Sequence, residues 1–156
     1  MADVKTKLMA ARLHLQNEKP YLTTALFNMH LVETRLVPTM AVDEYWRLYY
    51  NPDFLKDWKT EEISTLWYHE VLHLIRDHVK RALAHLDLQP AIWNVAADSE
   101  INDDLVAEGL KVRGGWGKAC LPEHFNLPDK KVVEWYYSRL LKEMEQKLLQ
   151  MTMPFM

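Results

Sequence analysis

The sequence predicts an α+β domain that is mostly helical, with one small antiparallel hairpin and a buried helix at its centre. Three observations predict it. Apolar residues recur at helical spacing over most of the chain, while two-residue alternation is confined to the stretch from Leu36 to Tyr50. Between Ile63 and Ile75 the apolar positions spread around most of a helical wheel, as in a helix enclosed by the rest of its domain. At 156 residues the chain reads as a single domain, 1–156, long enough for a proper core.

Taken in order, Val4 to Gln16 reads as a first helix and Tyr21 to Leu31, opening after Pro20, as a second. Leu36 to Val42 and Tyr45 to Tyr50 alternate and are rich in aromatics, so they read as a short antiparallel pair. Pro38 cannot donate to a ladder, which places the first of these strands at an edge. Thr60 is the expected N-cap of the buried helix, with Glu61 and Glu62 in the first turn, where carboxylates favour the positive end of the helix dipole. A further helix starts near Pro90 and carries Trp93, Ala96, Ala97, Ile101 and Leu105; its two alanines permit close approach to a neighbour. Residues 109–128 hold all four glycines and read as a loop able to rim a cleft, with a plain connector as the alternative. Asp129 is the expected N-cap of the last helix, whose apolar face runs from Val133 through Tyr136, Tyr137, Leu140, Leu141 and Met144 to Leu148. Tyr136 and Tyr137 read as core, with a phenol at a reaction centre as the alternative.

The buried helix carries an unexpected load: His69, Glu70 and His73. Sinking a carboxylate and two imidazoles there costs several kcal/mol, roughly, unless they find partners. Spacing names a partner. Residues four apart share a helix face, so His69 and His73 can converge on one cation, and Glu70 stands at the edge of that face. This is the H-E-x-x-H arrangement of zinc peptidases, in which the glutamate takes a proton from the attacking water. The alternative is an accidental match in a chain with seven histidines. A catalytic zinc needs a third protein ligand. His78 lies five residues past His73 with no glycine to turn the chain, so it reads as a helix-end or supporting residue. Asp98 is the better candidate. It and Asn102 are four apart beside the apolar stripe of their helix, so Asp98 can reach the ion while Asn102 orients a ligand. Glu100 points elsewhere, and Asp103 and Asp104 read as solvated charge; the competing reading is a surface acidic helix. His14, His30, His85 and His124 have no partner at ligand spacing.

These blocks resemble the bacterial predicted metal-dependent peptidases, a zincin-like family. The resemblance rests chiefly on HEVLHLIRDH and WNVAADSEIND in that order. More weakly it rests on AARLHLQNEKPYLTTAL, PTMAVDEYWRLYYNPDF and LPEHFNLPDKKVVEWYYSRL. It implies a zincin-like fold, one zinc ion on His69, His73 and Asp98, and Glu70 as catalytic base. It further implies an edge strand over the active-site helix, where an extended peptide can add on. Family members often carry a von Willebrand factor A-like domain after this one and are commonly encoded beside MoxR-type AAA+ ATPases, which are therefore the implied partners. The chain departs from the family in two ways. Asp43-Glu44 stands where Asp-Gly is usual, so a longer or bulged hairpin loop is expected. No von Willebrand-like segment follows, so the chain is a short member or one cut before a C-terminal domain.

Composition narrows the setting. A formal charge of −3 with no basic block gives no reason to expect nucleic acid. No stretch is long and apolar enough for a membrane span, and there is no signal-peptide pattern. The single cysteine, Cys120, reads as a loop thiol in a reducing, cytoplasmic compartment. Three functions stay open: a zinc-dependent peptidase acting on peptide or protein substrates, a catalytically silent or ATPase-gated zinc-binding adaptor, and a metal-dependent hydrolase of a non-peptide amide.

Overall fold

The computed structural model describes residues 3–152. Helix α1 (Val4–Glu18) is capped by Asp3, whose carboxylate accepts from the Thr6 N–H at 2.7 Å. A short 3₁₀ turn at Pro20–Leu22 leads into α2 (Thr23–Asn28). Strands β1 (His30–Glu33), β2 (Met40–Val42) and β3 (Arg47–Tyr50) follow, then α3 (Pro52–Leu55) and α4 (Thr60–Ile75). Helices α5 (His78–Leu83), α6 (Pro90–Ala107) and α7 (Val133–Thr152) complete the order. The fold is a mostly helical α+β one, as expected.

The sheet corrects the reading in detail. The expected second helix stops at Asn28, and His30–Glu33 is a strand pairing parallel with β3, from His30 opposite Arg47 to Glu33 opposite Tyr50. Tertiary pairing overrides the local pattern here, because β3 offers a free edge that a sequence window cannot see. The sheet is therefore mixed, in the order β1-β3-β2, with the antiparallel β2–β3 pair as one part of it. Strand β2 is one of the two edge strands, shortened to Met40–Val42, and Pro38 lies just outside the ladder. The hairpin loop is long, as its non-glycine sequence demands. The Asp43 carboxylate accepts from the N–H groups of Tyr45 and Arg47 at 3.0 and 3.2 Å, and Trp46 takes a left-handed φ of 62°.

The N-terminal part of the core lies between α1 and α4, where Leu8, Ala11 and Leu15 meet Ile63, Trp67 and Val71, joined by Ile101 and Leu105 of α6. A second cluster sets Trp93, Ala96 and Ala97 of α6 against Val133, Tyr136 and Tyr137 of α7, so the small residues do admit a close neighbour. Helix α6 thus belongs to both clusters and is fixed on two sides. Trp67 has no exposed surface, and its indole N–H points at the Met29 sulfur at 3.3 Å. Trp67→Ala is expected to lower stability by about 3–5 kcal/mol, read from urea unfolding.

Both expected caps are replaced. Thr60 is the first helical residue of α4, and the Glu62 carboxylate reaches back to the Lys59 N–H at 3.3 Å. Asp129 does not cap α7. The Val133 N–H donates instead to Glu100 of α6, and the Lys130 N–H donates to Asp103 at 2.5 Å. Side chains of a neighbouring helix have taken the role that local sequence assigned to Asp129. Among the described residues no helix is long and apolar enough to cross a membrane.

Candidate metal centre

Helix α4 presents His69, Glu70 and His73, and α6 crosses it with Asp98 and Asn102. The two imidazoles point their Nε2 atoms at each other, 3.1 Å apart, and each Nε2 lies 3.1 Å from Asp98 Oδ1. The three atoms form a triangle with equal sides. Donors at zinc–nitrogen and zinc–oxygen distances in a tetrahedral site stand about 3.3 Å apart, so the triangle fits one such ion. His69, His73 and Asp98 are the residues that the structure gathers as a possible metal group among those described. The acidic-surface reading of α6 does not hold at Asp98, which is half-buried and turned onto the histidines.

The ring nitrogens facing away from this point are also held. His69 Nδ1 lies 2.8 Å from Asn102 Oδ1, and the Asn102 amide nitrogen donates to the Cys120 carbonyl at 3.1 Å, which turns the amide oxygen toward the histidine. His73 Nδ1 lies 2.9 Å from His78 Nδ1. His78 reaches it because α4 ends at Ile75, with Arg76 as its C-cap, and Asp77 takes the left-handed conformation, with φ 52° and ψ 38°, before α5 begins. Aspartate tolerates that conformation better than most residues. It does here what the sequence reading reserved for a glycine.

Charge in the cluster is finely divided. Burial raises the Asp98 carboxyl, but hydrogen bonds and the charges of His69 and His73 outweigh it and hold the group well below its ordinary value. Burial pulls His69 down, yet Asp98, Glu70 and Asn102 leave it raised on balance. His73 is lowered, by burial first and by the neighbouring His69 and His78 as well. Glu70 is buried, and that burial pushes its carboxyl up to about 7, with Asp98 adding to the rise and His69 opposing it. Among the described residues none donates a hydrogen bond to the Glu70 carboxylate.

Glu70 and Asp98 open onto two adjoining hollows. One, of about 300 Å³, is lined by Thr39, Met40, His69, Asn102, Val112 and Trp116, so the glycine-containing loop does rim the cleft. The other, of about 620 Å³, runs past Met40 and Val42 of the edge strand toward Ala82, Leu88 and Trp93. Tyr136 and Tyr137 are core residues, bonded to the Pro128 carbonyl and the Gln89 N–H at 2.9 and 3.0 Å.

Sequence reasoning missed the acidic residues beyond Asp98. Glu100 does point away from the triangle, but it is buried and bonded to His78, Arg76 and the Val133 N–H. Asp103 caps the approach to α7, and Asp104 pairs with Arg76, so neither is simple solvated charge. Their one sequence signal is the density of acids on a helix whose neighbours carry Arg76 and Arg81.

A helical α+β fold that brings two imidazoles and a carboxylate to one point, at the mouth of a cleft, defines a domain equipped to hold a metal ion. The chain belongs to the family described as "Putative metallopeptidase domain", whose model matches residues 3–148. No curated protein and no solved structure matches the chain.

Proposed function

We propose that this chain is a zinc-dependent peptidase of zincin type, with His69, His73 and Asp98 as metal ligands and Glu70 as general base. The observation that carries this reading is the equal-sided Nε2, Nε2, Oδ1 triangle beside a buried carboxylate that no described residue hydrogen-bonds. Zinc held there supplies a Lewis acid that acidifies water and polarises a carbonyl. Glu70 takes the proton of the attacking water on its free carboxylate and passes it to the departing amine nitrogen. A buried carboxylate with no described hydrogen-bond donor is free to take a proton and give it back. Asn102 fixes His69 with Nε2 turned inward. The free side of β2 offers backbone N–H and C=O groups to an extended peptide laid along the hollows.

The reading takes residues 1–156 as one catalytic domain working in the cytoplasm. A von Willebrand factor A-like domain and a MoxR-type ATPase act as its partners in delivering protein substrates. The test is cleavage of a mixed peptide pool and of intact proteins by the zinc-loaded chain, with the ATPase present and products identified by mass spectrometry. Fragments that vanish with chelator and return with zinc are expected. Absence of cleavage with one zinc bound would replace the peptidase by a zinc-binding adaptor.

A further inference from the structure

The structure holds a second line of buried polar groups that the proposed chemistry does not use. It starts at His73 Nδ1, passes to His78 Nδ1 at 2.9 Å, and leaves His78 through Nε2 to Glu100 Oε1 at 3.1 Å. Glu100 ends the line as a fixed anion. Arg76 Nη1 donates to it at 3.3 Å, Arg81 stands 3.6 Å away, and its second oxygen accepts from the Val133 N–H at the start of α7. His78 is 3 % exposed and Glu100 8 %, so neither group has water as a ready substitute.

We propose that His78 and Glu100 are positioning residues forming a relay that fixes the tautomer and ring orientation of His73. This inference rests on the reading of His69, His73 and Asp98 as metal ligands. A neutral imidazole carries one proton. If His73 offers bare Nε2 to a cation, its proton sits on Nδ1 and is donated to His78 Nδ1. His78 Nδ1 is then an acceptor, so the His78 proton sits on Nε2, where Glu100 Oε1 receives it. Each assignment forces the next, and the last donor meets a carboxylate. The opposite direction fails, because it leaves a bare His78 nitrogen against that carboxylate or strips His73 of both protons. The relay extends the familiar carboxylate–histidine–metal arrangement by one imidazole. His69 is held by a neutral amide and His73 by an anion one ring removed, so the two ligands differ in donor strength. Because Glu100 also caps α7, the relay ties the metal centre to the docking of that helix.

The test measures zinc affinity by competition with a chromogenic chelator in wild type, His78→Leu, His78→Gln, Glu100→Gln and His73→Ala. His78→Leu and Glu100→Gln should weaken binding by about 10- to 100-fold. His78→Gln keeps an acceptor for the His73 Nδ1 proton and should recover most of the loss. Affinities of the His78 and Glu100 variants within twofold of wild type, with His73→Ala binding lost, would overturn the relay and leave the metal site standing. Wild-type affinity in His73→Ala would instead overturn the ligand assignment beneath it. A second measurement serves where variants fail to fold: ¹⁵N NMR of the zinc-loaded wild type. Scalar coupling across the His73 Nδ1–H···Nδ1 His78 bond is the expected result, and its absence contradicts the relay.

Discussion

Glu70→Gln should keep its metal and its fold while losing peptide turnover by about a hundredfold or more. The amide has nearly the shape of the carboxylate but cannot accept a proton from water. Metal content and cleavage rate, measured on the same preparation, separate this outcome from simple loss of the site. The same substitution should stabilise the metal-free protein. Burial raises the Glu70 carboxyl from 4.5 to about 7, so between those values the folded state holds more protons than the unfolded one. Stability of the metal-free wild type therefore declines as pH rises through that window. Glutamine never ionises. Unfolding in urea at about pH 8 should show Glu70→Gln more stable by up to about 3 kcal/mol, with the difference gone near the unperturbed carboxyl value. A residue whose removal strengthens the fold and abolishes turnover is held in place for chemistry.

Loss of a ligand should have the largest effect on the metal itself. Zinc sites of four donors bind with roughly 10–16 kcal/mol, so removing one donor is expected to weaken binding by roughly two to three orders of magnitude. His73→Ala and Asp98→Ala should both do so, and Asp98→Ala has an added reason. Among the described residues its carboxylate is the one anion touching both imidazoles, at 3.1 Å each. Asn102→Ala should cost about tenfold, because it loosens His69 without removing a donor. Competition with a chelator ranks the three. Asp98→Ala binding zinc as tightly as Asn102→Ala would contradict the assignment.

Much of this site was legible because it depends on helix periodicity. The four-residue spacings of His69 with His73 and of Asp98 with Asn102 fix which side chains share a face, and both helices form where the apolar pattern put them. Periodicity also kept Tyr136 and Tyr137 in the core. What stayed hidden depends on long-range contacts or on single backbone angles. Strand β1 exists because β3 is beside it, and the left-handed turn at Asp77 that delivers His78 to His73 rests on one residue in a disfavoured conformation. The cap on α7 comes from Glu100, 33 residues earlier in the chain. A local window contains none of these partners.

X-ray absorption at the zinc edge of the loaded protein tests the central claim most directly. Two imidazole nitrogens with the remaining donors oxygen, at about 2.0–2.2 Å, is the spectrum expected from His69, His73 and Asp98. Sulfur at the longer zinc–thiolate distance, which would bring in Cys120, or fewer than two imidazoles, would contradict it.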